Sequence, residues 1–309
     1  MSPPPLRVAV AGLPKAGVST LVNALIGAAV LPVSTLEGVS PLTEVAVVPA
    51  GETVAEPTLH LSDGTRAAVR ESPGTAEPSR AASAGRLLAG PLAAGAAPVT
   101  GADRVRAVLA DLRRALGATA SADGRGEHPS PPHVVVPVGW AASERFVLVD
   151  GPPGILAGPS DAFLVVLDYT HLDTVEDARV LRLAAEATAR VGPGRVTIAV
   201  NRVDQGEDGD LAGESLRRHV HARMPAAGRP PVVETSARWA LAASLLLGDD
   251  AHAATLDALA HPMGGGAADA GALSRGAEHT IAASGIPELR QTLLRWWSAA
   301  VRAPHGTTR

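Results

Sequence analysis

A short apolar run, a glycine-punctuated loop and a helix follow one another at the start of this chain, and that succession restricts the fold more than any other feature. Leu6–Ala11 (LRVAVA) is continuous, rich in β-branched residues and stopped by glycine, the pattern of a strand buried on both faces. Ser19–Gly27 (STLVNALIG) carries apolar residues at helical spacing. Between them lies Gly12-Leu13-Pro14-Lys15-Ala16-Gly17-Val18-Ser19, which fits the spacing G-x-x-x-x-G-x-S. Glycines at those places let successive backbone N–H groups curl around an anion at a helix N-terminus. Gly12, Lys15, Ala16, Gly17, Val18, Ser19 and the adjoining Thr20 are therefore the candidate phosphate contacts. Ser19 stands where a hydroxyl would ligate Mg²⁺. The position that the full motif gives to lysine holds Val18, which carries no charge.

The rest of the chain continues the alternation. Strands are expected at Glu44–Val48, His133–Val138, Arg145–Val149, Ala162–Leu167, Arg195–Val200 and Pro231–Glu234. Helices are expected at Val175–Val191, Gly213–Met224, Trp239–Leu247 and Ile286–Val301. The strands at His133 and Arg145 read as a hairpin around Gly139–Ser143, and a further helix is expected at Ala251–Ala260. Strands alternating with helices favour an α/β fold, a mostly parallel sheet covered on both faces. Residues 50–132 read as an insertion within one domain spanning 1–309. That insertion is partly flexible around Arg70–Ser83 and Ala118–Pro132, and carries one strong helix at Asp103–Leu116 (DRVRAVLADLRRAL).

Composition narrows the function. A net charge of −4 gives no electrostatic case for nucleic acid. With no cysteine, disulfides and thiolate metal sites are excluded. Aromatics make up 2% of the chain, so the core must be built from Ala, Val and Leu. No apolar run reaches the roughly 20 residues that span a bilayer, and no leader is visible ahead of Leu6, so a cytoplasmic protein is expected, at most peripheral to a membrane. Lys15 is the sole lysine; every other basic residue is arginine.

With these motifs in view, the chain resembles the dynamin-like branch of the GTPases. There, a helix of the type STLxNALxG is followed by Leu-Pro and by a switch ending in Pro-x-Thr. Here Ser19–Gly27, Leu31-Pro32 and Pro41-Leu42-Thr43 stand in that order. The resemblance implies a P-loop G domain with its insertion after switch I. Thr43 would be the switch threonine that ligates Mg²⁺ and senses the γ-phosphate. Phe146–Asp150 is similar to the strand ending in the third-box aspartate, which holds Mg²⁺ through water. Asn201-Arg202-Val203-Asp204 is similar to the guanine box, with Arg for Lys. Asp204 would accept from the guanine edge, Arg202 would lie across the base, and Asn201 would tie this loop to the phosphate loop. Thr235-Ser236-Ala237 resembles the fifth box, placing Ser236 and Ala237 near the base. GTP or GDP with Mg²⁺ is the implied ligand set. The implied partner is a second copy or another dynamin-like protein. The stalk and membrane-binding tip of typical dynamins are not expected within these 309 residues.

Two departures touch the chemistry. Val18 removes a charge that stabilises the β- and γ-phosphates, and losing one such stabiliser commonly costs on the order of 10²–10³ in rate. Asp150-Gly151-Pro152-Pro153-Gly154 puts proline, which has no N–H, where the family pattern has glycine, so Gly154 serves only if the loop holds one extra residue. Lys15 lies inside the loop, where its ammonium would replace part of the missing charge. Three readings stay open: guanine-nucleotide binding with weak or absent hydrolysis, a competent GTPase relying on Lys15 and Gly154, and a nucleotide-free structural subunit. Arg104, Arg106, Arg113 and Arg114 read as a solvated helix face. His219 and His221 read as surface, and Asp168, Asp173 and Asp177 as turn and helix-start residues, with Asp173 or Thr174 capping the helix from Val175. Trp296 and Trp297 read as core packing, with one ring at a partner interface as the alternative.

Overall fold

The computed structural model describes residues 3–33, 42–50, 55–62, 97–120, 131–206, 211–224, 229–247 and 270–302. Its centre is a nine-stranded sheet in the order β4-β3-β5-β2-β6-β1-β7-β8-β9. The strands are β1 (Leu6–Gly12), β2 (Thr43–Pro49), β3 (Thr58–His60), β4 (Val99–Thr100), β5 (His133–Val138), β6 (Phe146–Gly151), β7 (Ala162–Asp168), β8 (Val196–Asn201) and β9 (Val232–Thr235). The helices are α1 (Val18–Ile26), α2 (Ala102–Ala120), α3 (Val175–Val191), α4 (Gly213–Ala222), α5 (Ala237–Leu247), α6 (Ala270–Ala283) and α7 (Ile286–Arg302).

Strands β6, β1, β7, β8 and β9 are mutually parallel. Their continuous apolar character follows from cover on both faces. Val8 and Val10 of β1 join one buried cluster with α1, α2, α5 and α7. Ala9 and Ala11, pointing the other way, join a second cluster with α3 and α4. β2 and β5 instead alternate buried and half-buried residues, because the insertion side of the sheet buries one face there.

One expectation needs correction. The strands at His133 and Arg145 do not form a hairpin. β2 lies between them, parallel to β5 and antiparallel to β6. A run of strands close in sequence carries no record of a strand inserted from far upstream. Trp296 and Trp297 are both in the core, at 5% and 6% exposure, as the core-packing reading has it. Trp297 packs on Phe146 with ring centroids 5.9 Å apart, and the two rings together fill space that an Ala/Val core leaves. The helix expected at 251–260 and the stretch 70–83 lie outside the described residues. From the insertion, β3 pairs with β5, and α2 buries Val105, Val108, Leu109 and Leu112 against the same core as α1.

The loop after α1 is set by one side chain. Asn23 donates from Nδ2 to the Leu31 carbonyl at 2.8 Å and accepts the Leu31 N–H at 2.9 Å. Gly27, at φ 76°, ends the helix in the left-handed region that glycine enters without strain. Further along, Thr174 is the N-cap of α3, accepting the Asp177 N–H at 3.1 Å.

Candidate functional site

Parallel strands end on one side of a sheet, and the connections leaving those ends form the crevice where such folds take ligands. β1 ends at Gly12, β6 at Gly151, β7 at Asp168, β8 at Asn201 and β9 at Thr235. Thr43, first residue of the antiparallel β2, lies opposite Asp150 in the register and is buried. The fold therefore gathers Gly12–Ser19, Thr43, Asp150, Asn201–Asp204 and Ser236–Ala237 at one edge. Gly154 falls in a short 3₁₀ turn, Pro153–Ala157, and is exposed.

Asn201 binds the loops together. Its Nδ2 donates to the Ala16 carbonyl at 3.0 Å, and its Oδ1 accepts the Ala237 N–H at 3.1 Å. A backbone N–H only donates and a carbonyl only accepts, so these two partners fix which way the amide faces. The Gly12–Ser19 loop, the Asn201–Asp204 loop and the Thr235–Ala237 loop thus meet on one buried side chain. Gly17, at φ 88°, lies directly beneath it, and a Cβ there would overlap the Asn201 amide.

Arg202 is also in the left-handed region, at φ 69°. Its guanidinium donates to Asp168 Oδ2 at 2.7 Å and to the Lys15 carbonyl at 2.6 Å, so its head braces the phosphate loop. Asp168 Oδ1 accepts the Thr170 N–H at 3.0 Å, which fixes the carboxylate. Lys15 is exposed, at φ 72°. Asp204 is exposed, and its Oδ2 accepts the Trp239 Nε1–H at 2.9 Å. Val18 turns into the core beside Ala16 and Leu21, at 9% exposure.

At the third box, the structure departs from the reading of α2 as a solvated arginine face. Arg104 is exposed, and Arg106 Nη1 donates to the Ala29 carbonyl at 2.9 Å. Arg113 reaches inward. Its Nη1 donates to the Pro32 carbonyl at 2.7 Å and its Nη2 to Asp150 Oδ2 at 2.9 Å. Ser19 Oγ–H donates to the same Asp150 oxygen at 2.7 Å. Burial pushes the Asp150 carboxyl above its usual range, opposed by the Arg113 charge and the two hydrogen bonds.

This arrangement does not fit Mg²⁺. The Ser19 hydroxyl and a guanidinium are both spent on the carboxylate oxygen that would face the ion, and a divalent ion there would sit against a fixed positive charge. No group of three His, Cys, Asp or Glu side chains suited to a metal occurs among the described residues.

Arg113 and Trp239 were missed in the sequence, and Asp168 was read as a turn residue alone. A signal existed for Arg113: Val105, Leu109 and Arg113 lie at i, i+4 and i+8, so the arginine continues the buried stripe of its helix.

Sheet order, loop positions and the glycine loop at the N-terminus of α1 define the class: an α/β P-loop G-domain fold with an insertion after switch I. No protein-family model matches the chain, and no curated protein matches it. Among solved structures it is similar to chains of an oligomerised bacterial dynamin pair described as sensing and tethering membranes over long range. One match has 13% identity and a TM-score of 0.45, and covers 97% of this chain and 50% of that one. A second has 12% identity and a TM-score of 0.41 over the same shares. The chain thus spans about half the length of these neighbours. Among the described residues, no helix is long and apolar enough to cross a membrane.

Proposed function

We propose that this chain is a guanine-nucleotide-binding, dynamin-like G protein with weak or absent GTP hydrolysis, acting with a dynamin-like partner or a second copy in a membrane-associated or cell-division process. The observation that carries the reading is the Asn201 clamp, which joins Ala16 of the phosphate loop to Ala237 of the fifth box through the guanine-box loop. A buried amide satisfied on both sides holds these loops in mutual register, so a base-binding loop and a phosphate-binding loop are set before any ligand arrives. Asp204 supplies the carboxylate that accepts from the guanine edge. Weak hydrolysis follows from what the site lacks: Val18 is packed in the core, and Pro153 has no N–H to offer a γ-phosphate.

Two contacts favour a second reading, a structural subunit that binds no nucleotide. Asp204 already accepts from Trp239, and Asp150 already holds Arg113, so internal partners serve the groups that a nucleotide and its metal would use. Titration of the nucleotide-stripped protein with fluorescent GTP, GDP and ATP separates the two. Guanine-selective micromolar binding is expected. Absence of binding at millimolar nucleotide refutes the proposal in favour of the structural subunit.

A further inference from the structure

Arg113 brings a guanidinium to Asp150 and Ser19. Arg113 is 13% exposed in its side chain, and its partner Asp150 is 4% exposed. The helix that carries it is held by Val105, Val108, Leu109 and Leu112 in the core and by the Arg106 bond to Ala29. The guanidinium is fixed at two further points, the Pro32 carbonyl at 2.7 Å and the Asp150 carboxylate at 2.9 Å, with Ser19 Oγ 3.4 Å away. Its Nε–H, also buried, finds no acceptor among the described residues. Ser19 lies in the first turn of α1, so on the nucleotide-binding reading Arg113 stands beside the place where a phosphate oxygen would meet the Gly12–Ser19 loop.

We infer that Arg113 is the resident cation of this site, replacing the divalent ion, so that the protein binds a guanine nucleoside diphosphate without Mg²⁺. The inference rests on the nucleotide-binding reading above. A planar, permanently charged guanidinium suits phosphate oxygens and cannot be removed by chelation. It is also a weaker source of charge than what it replaces. A lysine charge is absent at Val18 and a divalent charge at Asp150, and a single guanidinium stands in their place. A triphosphate brings further negative charge that a single guanidinium leaves uncompensated once desolvated, which favours the diphosphate.

The test is binding of fluorescent GDP and GTP to the nucleotide-stripped full chain, in EDTA and in millimolar Mg²⁺, for the wild type and for Arg113→Gln. Wild-type affinity is expected to be unchanged by Mg²⁺, with GDP bound more tightly than GTP. Arg113→Gln keeps a polar amide on the helix but is too short for the Pro32 bond and loses the charge. Its affinity in EDTA should fall by roughly ten- to hundredfold, the worth of a hydrogen bond to a charged group, with part of the loss restored by Mg²⁺. Wild-type binding that requires Mg²⁺ overturns the inference and leaves the nucleotide-binding reading standing. Failure to bind in either condition overturns both. Because the variant's fold is at risk, Mn²⁺ electron paramagnetic resonance on wild type with GDP is an independent readout. A spectrum of free Mn²⁺ alone supports the inference, and a protein-bound signal overturns it.

Discussion

Replacing Asn201 with alanine should cost the protein a large part of its stability and uncouple three loops at once. The side chain is 3% exposed and satisfies two buried backbone groups, the Ala16 carbonyl at 3.0 Å and the Ala237 N–H at 3.1 Å. Truncation leaves both without a partner. A buried polar group left unsatisfied costs about 1–3 kcal/mol, so the pair amounts to roughly 2–6 kcal/mol. Set against a typical stability of about 5–15 kcal/mol, this is a loss that urea denaturation resolves easily. Asn201→Asp supplies the control. It keeps the acceptor facing Ala237 but turns a second acceptor toward the Ala16 carbonyl, so it should destabilise at least as much as alanine at neutral pH and recover as the carboxyl protonates. If Asn201→Ala unfolds within about 0.5 kcal/mol of the wild type, an ordinary surface effect, the clamp is not holding the loops and the argument from it fails.

Three further expectations follow from single contacts. Gly17→Ala forces a side chain into a φ of 88° and against the Asn201 amide, and should lower stability by about 2 kcal/mol or more, measured in the same urea series. Trp239→Phe removes the 2.9 Å donor to Asp204, freeing the carboxylate for guanine. Nucleotide affinity should rise about two- to tenfold, and a fall would show that the indole aids the base instead. Burial lifts the Asp177 carboxyl above its ordinary pKa, against two hydrogen bonds with Thr174 and the charge of Arg223. The folded protein therefore holds this proton more tightly than the unfolded chain. Its contribution is greatest below the ordinary carboxylate pKa and declines as pH rises through the raised value. Asp177→Asn should remove that decline from a stability–pH profile, and an unchanged profile would refute the assignment.

Much of the site was legible because its determinants are local. Gly12–Ser19 needs strand, glycines and helix in succession, and Asn201–Asp204 needs only to follow a buried strand. Periodicity then sends both to the same sheet edge, since parallel strands end together. The apolar continuity of β1, β7 and β8 likewise announced a sheet covered on both faces. Arg113 is different in kind. Its helix showed the right stripe, but its partner lies 37 residues away across β5 and β6, and a charged residue on a stripe edge reads as solvated until the carboxylate it meets is known. The false hairpin failed for the same reason: strand neighbours are chosen by non-local pairing, and β2 came from far upstream to separate β5 from β6.

The sequence by itself therefore determined the class of fold and carried the Gly12–Ser19 loop with valine at position 18 and the order of the box-like motifs, all of which are short-range patterns of residue type and spacing. Only the tertiary structure decided that Asn201 also meets Ala237, that Arg202 braces the Gly12–Ser19 loop against Asp168 and that Arg113 of the insertion helix reaches Asp150. Those roles depend on which charges and backbone groups are brought within about 3 Å of each other, the range at which buried hydrogen bonds and ion pairs act, and no spacing along the chain encodes that distance.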